Sequence, residues 1–197
     1  MGYSNFKKIK TVVKNFNLEL QMEHLFTGVN KVEPSPWLIE SLIRAESMPS
    51  TNEKTKAERI ISPILLDVYV SYSKQIAFFS GENIDIDSSR DLAGECDFFF
   101  SLQSPKPYIE APIISIAEAK DEDMEWGLAQ CAAQIYGASL FNELEGKKID
   151  FIYGCATDGF EWKFIRFEKN KFTLDYKTYT NLNEILGVWH HIINLYL

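Results

Sequence analysis

No apolar run in this chain approaches the roughly 20 residues that a membrane-spanning helix needs. The dense runs Ile113–Ala117 and Phe98–Phe100 are far shorter, so a soluble protein with no membrane partner is expected. Cysteine is scarce too: Cys96, Cys131 and Cys155 are odd in number, far apart and set in apolar sequence. That excludes a disulfide scaffold and fits buried free thiols in a reducing, cytoplasmic setting. Internal repeats and low-complexity tracts are missing. The first residues, Met1 to Lys8, include two lysines but lack the apolar stretch and small-residue cleavage site of a secretory signal. Positive charge is short, with 20 Lys and Arg against 28 Asp and Glu and a net charge of -8. A general nucleic-acid coating protein is therefore disfavoured, because phosphate contacts come from basic surface. Two local basic clusters survive, Lys7, Lys8, Lys10 and Lys14, then Lys163, Arg166, Lys169 and Lys171. Solvated surface charge is the simpler reading of each. His190-His191 has no nearby Cys or acidic ligand set, which argues against zinc.

What is present suffices for one domain over 1–197, since 197 residues at 46% hydrophobic composition can bury an ordinary core. Residues 1–50 read as a helical extension, broken at Glu33-Pro34-Ser35-Pro36, with Ser35 as N-cap and Pro36 at the first helical position. After Pro49-Ser50-Thr51-Asn52 a helix is expected from about Glu53 to Tyr72, with Ile60, Ile61, Ile64, Leu65 and Val68 buried and Pro63 kinking or dividing it. Short strands are expected at Gln75–Ser80 and Asn83–Asp87, and stronger ones at Cys96–Leu102 and Ile113–Lys120, the last two as an antiparallel hairpin. A helix over Met124–Asn142 presents small residues to a sheet. Strands at Asp150–Ala156 and Phe160–Phe167 flank the turn Thr157-Asp158-Gly159. Residues 168–197 add a strand near Phe172–Tyr176 and an amphipathic helix from Asn181. The expected class is α+β, an α/β sandwich around one mixed central sheet.

The chemistry is concentrated in Asp97, Glu118 and Lys120. Glu118 and Lys120 are two apart in a strand and share a face, with Ile114 and Ile116 expected earlier on that same face. Asp97 stands at the head of the neighbouring run, where hairpin pairing brings its carboxylate beside Glu118. Two adjacent carboxylates resist joint ionisation unless a cation sits between them. Mg²⁺ or Mn²⁺ meets that need with oxygen ligands, water and substrate phosphate. Asp97, Glu118 and the carbonyl of Ala119 would bind the metal, with Lys120 orienting a water or stabilising charge on the phosphate. Glu58 is a candidate outer ligand, or else a surface carboxylate paired with Lys54. Gln130 and Gln134, one helical turn apart, are site candidates, with Gln130 favoured. Asp121-Glu122-Asp123 reads as a helix N-terminus rather than a second metal site. Trp126, Tyr136 and Trp162 could stack on bases, though packing is the simpler fate of each. An acid two residues before Lys occurs four times here, at Glu118, Glu145, Glu161 and Asp175. Only Glu118 combines it with an acid heading an adjacent strand.

In Glu58-Arg59-Ile60, Gly94-Glu95-Cys96-Asp97, Ile116-Ala117-Glu118-Ala119-Lys120, Gln130 with Gln134, and Ala156-Thr157-Asp158-Gly159 followed by Trp162, the chain resembles the PD-(D/E)XK nuclease superfamily. Within it, the resemblance is to the N-terminal nuclease domain of type I restriction enzyme motor subunits, over roughly 53–167. Cys96 stands where that pattern has Pro, the Gln-x-x-x-Tyr spacing is absent, and no helicase sequence accompanies the module. The resemblance implies a restriction-endonuclease-like core of helix, three strands, helix and strand, and metal-dependent cleavage of DNA, with RNA left open, in restriction or repair. The alternative is a catalytically inactive nuclease-fold protein that binds a protein partner or nucleic acid. A homodimer is one reading of the apolar C-terminal helix, with Trp189, Ile192, Ile193, Leu195 and Tyr196; capping of the sheet is the other.

Overall fold

The computed structural model describes residues 2–49, 52–121 and 123–197. In chain order the elements are α1 (Ile9–Asn15), β1 (Glu19–Glu23), α2 (Pro36–Glu46), a long helix α3, β2 (Ala77–Asn83), β3 (Glu95–Ser101), β4 (Ile113–Ala119), α4 (Met124–Leu144), β5 (Phe151–Thr157), β6 (Trp162–Glu168), β7 (Lys171–Tyr179) and α5 (Leu182–Asn194). Helix α3 runs on through Glu53–Lys56, a π-helical stretch Ala57–Ile61, and Ser62–Tyr72. The strands form one open seven-stranded sheet in the order β1-β7-β6-β5-β4-β3-β2. It is mixed: β1–β7 and β4–β5 are parallel and the other pairs antiparallel. The fold is α+β, with five helices among the described residues packed on that sheet.

Each face buries its own core. Leu38 of α2, Ile61, Ile64, Leu65 and Val68 of α3 and Ile185, Trp189 and Ile193 of α5 pack on Phe98, Phe100, Ala117, Cys155 and Phe164. On the opposite face Tyr3, Val12 of α1 and Ala129, Ala132, Ile135 and Ala138 of α4 pack on Cys96, Phe99, Ile116 and Ile165. Trp189, Ile192 and Ile193 are fully buried against the chain's own sheet, so α5 caps the sheet and only Leu195 of the expected interface set is exposed. All three cysteines are buried and free.

Several local expectations hold for visible reasons. The Ser35 hydroxyl accepts from the Leu38 N–H at 3.1 Å and Pro36 opens α2. Asn52 and Thr55 form a reciprocal cap at the start of α3, although Ser50 and Thr51 of the expected break lie outside the described residues. Pro63 neither ends nor splits α3. Its missing N–H and its clash with the carbonyl four residues earlier are absorbed by the widened π turn just before it.

Three expectations need correction. Residues 1–50 are not wholly helical, because Glu19–Glu23 is an edge strand paired in parallel with Lys171–Asp175. Of the two short strands expected around Gly81, only one forms: β2 runs through Gly81, which takes φ +68° between the pairs Ser80–Phe98 and Glu82–Cys96 without ending the ladder, and it stops at Asn83, so 84–87 is not a strand. Ile114 does not share a face with Ile116. A bulge opposite Phe100 and Ser101 inserts Ile114 between the paired Ile113 and Ser115, which sends Ile114 to the α3–α5 core and leaves Ile116 in the α4 core.

The N-terminal segment is bound to this frame at Gly137. A Cβ added there would strike the Tyr3 hydroxyl, and Tyr3 Cζ would be 3.2 Å away. Tyr3 Oη donates to the Ile84 carbonyl at 2.8 Å in a buried site. Gly137→Ala is therefore expected to lower stability by about 1–2 kcal/mol, the overpacking cost exceeding the gain in helix propensity. Thermal melting checks the loss, and since Trp126 Nε1 donates to the Ser4 carbonyl at 3.2 Å, intrinsic tryptophan fluorescence should change as that anchor loosens.

Candidate active site

Strands β3 and β4 stay paired as far as Phe98–Ala117 and then part. Asp97, Glu118 and Lys120 collect where they separate, at the end of the parallel pair β4–β5. The Asp97 carboxylate accepts from the Ala119 N–H at 2.7 Å, which ties the two strand ends together. Glu118 shares the face of Ile116, so it points beneath α4 and is 2% exposed. There Gln134 Nε2 donates to Glu118 Oε2 at 2.7 Å, and at 3.4 Å to the Glu95 carbonyl. The Lys120 N–H donates to the Thr157 carbonyl at 2.8 Å, which carries the β4–β5 ladder one residue further and fixes where its side chain leaves the sheet.

Lys120 lies between an acid and an aromatic ring. Its Nζ is 3.2 Å from Glu53 Oε2 and 4.3 Å from the centroid of Trp126. Its stem passes over Gly127, where a Cβ would come within 2.9 Å of Lys120 Cβ. A glycine at the first turn of α4 is what lets this lysine lie down. Glu53 arrives from the first turn of α3 because the Asn52 cap sets where that helix begins, and it also accepts from the Asp121 N–H at 3.4 Å.

The helix acid in contact with Lys120 is thus Glu53, a residue not singled out from the sequence, where Glu58 is the candidate outer ligand. Glu58 is exposed, lies 3.9 Å from Lys54 and lines a cavity on the α3 side together with Asp97, Glu53 and Glu95. Between the two glutamines, the one that touches a carboxylate is Gln134, fully buried, rather than the favoured Gln130. Gln130 lines the same cavity as Glu118 and Lys120, and among the described residues its buried Oε1 has no partner. Ala119 contributes its N–H to Asp97, and its side chain is buried on the α3–α5 side. The idea of a second metal site at Asp121-Glu122-Asp123 includes Glu122, which lies outside the described residues. Its neighbours act structurally: Asp121 pairs with Lys56, and Asp123 caps α4 by accepting from the Trp126 N–H at 3.0 Å. Trp162 is buried in the core and Tyr136 packs between Phe16 and Phe167.

A cavity of about 380 Å³ opens on the site, lined by Gly2, Tyr3, Ser4, Glu53, Glu95, Asp97, Glu118, Lys120 and Gln130 among others. A second, of about 420 Å³, opens towards α3 and shares Glu53, Glu95 and Asp97. Four carboxylates and one lysine therefore face the first cavity. Burial pushes the Asp97 carboxyl up to about 6, Glu53 and Glu95 add to that, and the Ala119 N–H and Lys120 work against it. Burial also holds Glu118 well above the usual carboxylate range, reinforced by Asp97 and opposed by Gln134 and Lys120.

These donors fit a hard divalent cation. They are oxygens, four carboxylates face a single lysine that is itself paired with Glu53, and among the described residues the buried Gln130 Oε1 has no hydrogen-bond partner. Among the described residues no three His, Cys, Asp or Glu side chains converge as a ready metal cage. A Mg²⁺ site needs no such cage, since one or two carboxylates with water suffice. The chain matches no protein-family model, and no curated protein matches its sequence.

Proposed function

We propose that this chain is a Mg²⁺- or Mn²⁺-dependent nuclease of PD-(D/E)XK type that hydrolyses phosphodiester bonds of DNA, in restriction or repair. The observation that carries this reading is the Asp97–Ala119 hydrogen bond at 2.7 Å, which joins the two strand ends so that Asp97, Glu118 and Lys120 share one acidic cavity. The element order supports it, because α3, β2–β4, α4 and β5 match helix, three strands, helix and strand.

Asp97 and Glu118 would hold the metal, with the Ala119 carbonyl and Gln130 Oε1 as neighbouring oxygen donors. The bound cation supplies Lewis-acid polarisation of the phosphodiester and lowers the pKa of water. Gln134 fixes the carboxylate of Glu118 so that one oxygen is spoken for and the other is directed to the cavity. Lys120 directs an ammonium group at the charge that grows on the phosphate. Glu53, 3.2 Å from Lys120 Nζ, orients that ammonium, and Glu58, which lines the α3-side cavity with Asp97, stays the candidate outer ligand.

Incubation of the protein with plasmid, single-stranded DNA and RNA in Mg²⁺ or Mn²⁺ tests the proposal. Cleavage of DNA that chelation stops is the expected result. A folded protein that cuts none of these substrates overturns it and leaves the alternative, a nuclease-fold protein that binds without cutting.

A further inference from the structure

The cluster Lys7, Lys8, Lys10 and Lys14 stands apart from the charge balance of the chain, because residues 2–18 contain four lysines and no acid while the whole carries -8. Taken as sequence, these are ordinary solvated lysines. The fold brings the start of their segment to the acidic cavity. Gly2, Tyr3 and Ser4 form one wall of that cavity, tied down by the Tyr3 N–H on the Ala93 carbonyl at 3.1 Å. Trp126 Nε1 donates to the Ser4 carbonyl at 3.2 Å. The segment leaves the wall at Lys7, whose Nζ is 5.0 Å from the centroid of the same Trp126 ring that carries Lys120 at 4.3 Å. The two ammonium groups are therefore no further apart than the sum of those distances. That is within reach of one short stretch of nucleic-acid backbone, where each strand carries a charge about every 3.4 Å of axis.

Beyond Lys7 the track continues. Val12 of α1 is buried under the segment, which turns Lys10 and Lys14, one helical turn apart, to solvent. Arg90 adds a further cation at that end, 5.0 Å from the ring of Phe16. All four lysines are exposed, and among the described residues none is in an ion pair. Counterions that occupy such lysines are released when phosphates replace them.

We infer that the N-terminal segment from Lys7 to Lys14 is the docking track for the phosphate backbone of nucleic acid, leading through Lys7 and Trp126 to Lys120 at the reacting phosphate. This rests on the nuclease reading for the track's destination, while the track's own binding is measurable without it. An acidic protein thereby places an attraction for polyanions at one edge of its site.

The test is fluorescence anisotropy of labelled duplex and single-stranded DNA oligonucleotides, in EDTA, across a salt series. The wild type is compared with Lys7→Ala/Lys8→Ala/Lys10→Ala/Lys14→Ala, and with a control that removes four exposed lysines elsewhere, Lys74→Ala/Lys147→Ala/Lys148→Ala/Lys169→Ala. The track variant is expected to bind at least tenfold more weakly at 100 mM salt. Its slope of log K against log salt should fall by about 0.9 for duplex, or about 0.7 for single strands, for each phosphate that the protein no longer neutralises. The control keeps the wild-type slope. Equal weakening in both variants, or none in the track variant, overturns the inference. Circular dichroism confirms the fold, which alanine in α1 favours. A protein that binds through these lysines but cuts nothing keeps the track and loses the nuclease reading. One that cuts with an unchanged salt slope in the track variant loses the track alone.

Discussion

Asp97→Asn is expected to reduce Mg²⁺-dependent cleavage by about a thousandfold or more, while the metal-free protein melts no lower than wild type. The first half follows from charge. An amide retains the shape of the side chain but not the negative oxygen that binds a hard cation, and loss of several kcal/mol of transition-state stabilisation corresponds to that factor. The second half follows from geometry. The contact Asp97 makes in the fold is as an acceptor from the Ala119 N–H at 2.7 Å, and the amide oxygen of Asn can accept the same bond. What the substitution removes is a buried charge whose nearest relief, Lys120, is already paired with Glu53. Glu118→Gln should behave alike, since Gln134 can still donate to the new amide oxygen. Cleavage kinetics and differential scanning fluorimetry on the same preparations separate the two effects. A variant that cuts normally shows that Asp97 holds no metal. One that is inactive because it melts well below wild type shows that the carboxylate is structural.

How much of this was legible depended on the kind of pattern involved. The strand period of two placed Glu118 and Lys120 together, and the hairpin between Cys96–Leu102 and Ile113–Lys120 brought Asp97 to them. Both are short-range consequences of backbone geometry. Glu53 was missed because a 3.6-residue period cannot say which acid of a helix faces the sheet when a π turn resets the phase at Ala57–Ile61. Gln130 is favoured over Gln134 by its closeness in sequence to the acidic loop before α4, and the helix pattern cannot correct that because α4 is apolar almost all round, with Leu128, Ala129, Cys131, Ala132, Ala133 and Ile135 all buried, so its sequence names no single inner face. Gly127, which makes room for Lys120, carried a signal that went unused: a glycine near the start of a long helix is costly without a packing reason. Strand β1 is five residues at the sheet edge with four of them exposed, too short and too polar to stand out beside the helical pattern around it. The lysine track was visible as composition and invisible as a site, because its meaning lies in Tyr3 reaching Ile84, 81 residues away.

Without a divalent cation, the site's contribution to stability is expected to fall as pH rises from about 4 through about 6, and Mg²⁺ is expected to restore it. The Asp97 carboxyl is pushed from an ordinary value of 3.8 up to about 6, chiefly by burial, and Glu118 is held well above its own usual range for the same reason with Asp97 adding to it. Between those limits the native protein retains protons that the unfolded chain has released, so the native state binds more protons and stability declines with rising pH. Below the unfolded values both states are protonated and the penalty is absent. Above the folded values it is complete, about 3 kcal/mol for the Asp97 shift alone at 1.36 kcal/mol per unit. For a chain of 197 residues this is a fall in Tm of roughly 6–12 °C. Glu184 and Asp87 act in the opposite sense. Hydrogen bonds from Lys177 and Lys31 lower Glu184, and those from Ser89 lower Asp87, so their contributions are present at neutral pH and lost on acidification. The quantity to measure is therefore the difference between wild type and Asp97→Asn/Glu118→Gln across pH 4 to 7.5. That difference should widen with pH in EDTA and close, or reverse, in excess Mg²⁺, because a cation bound only by the native state at a hundred times its Kd stabilises by about 2.7 kcal/mol. If the two proteins melt in parallel at every pH, the carboxylates are not strained by burial. If Mg²⁺ fails to raise the wild type above the variant at pH 7.5, Asp97 and Glu118 do not bind it.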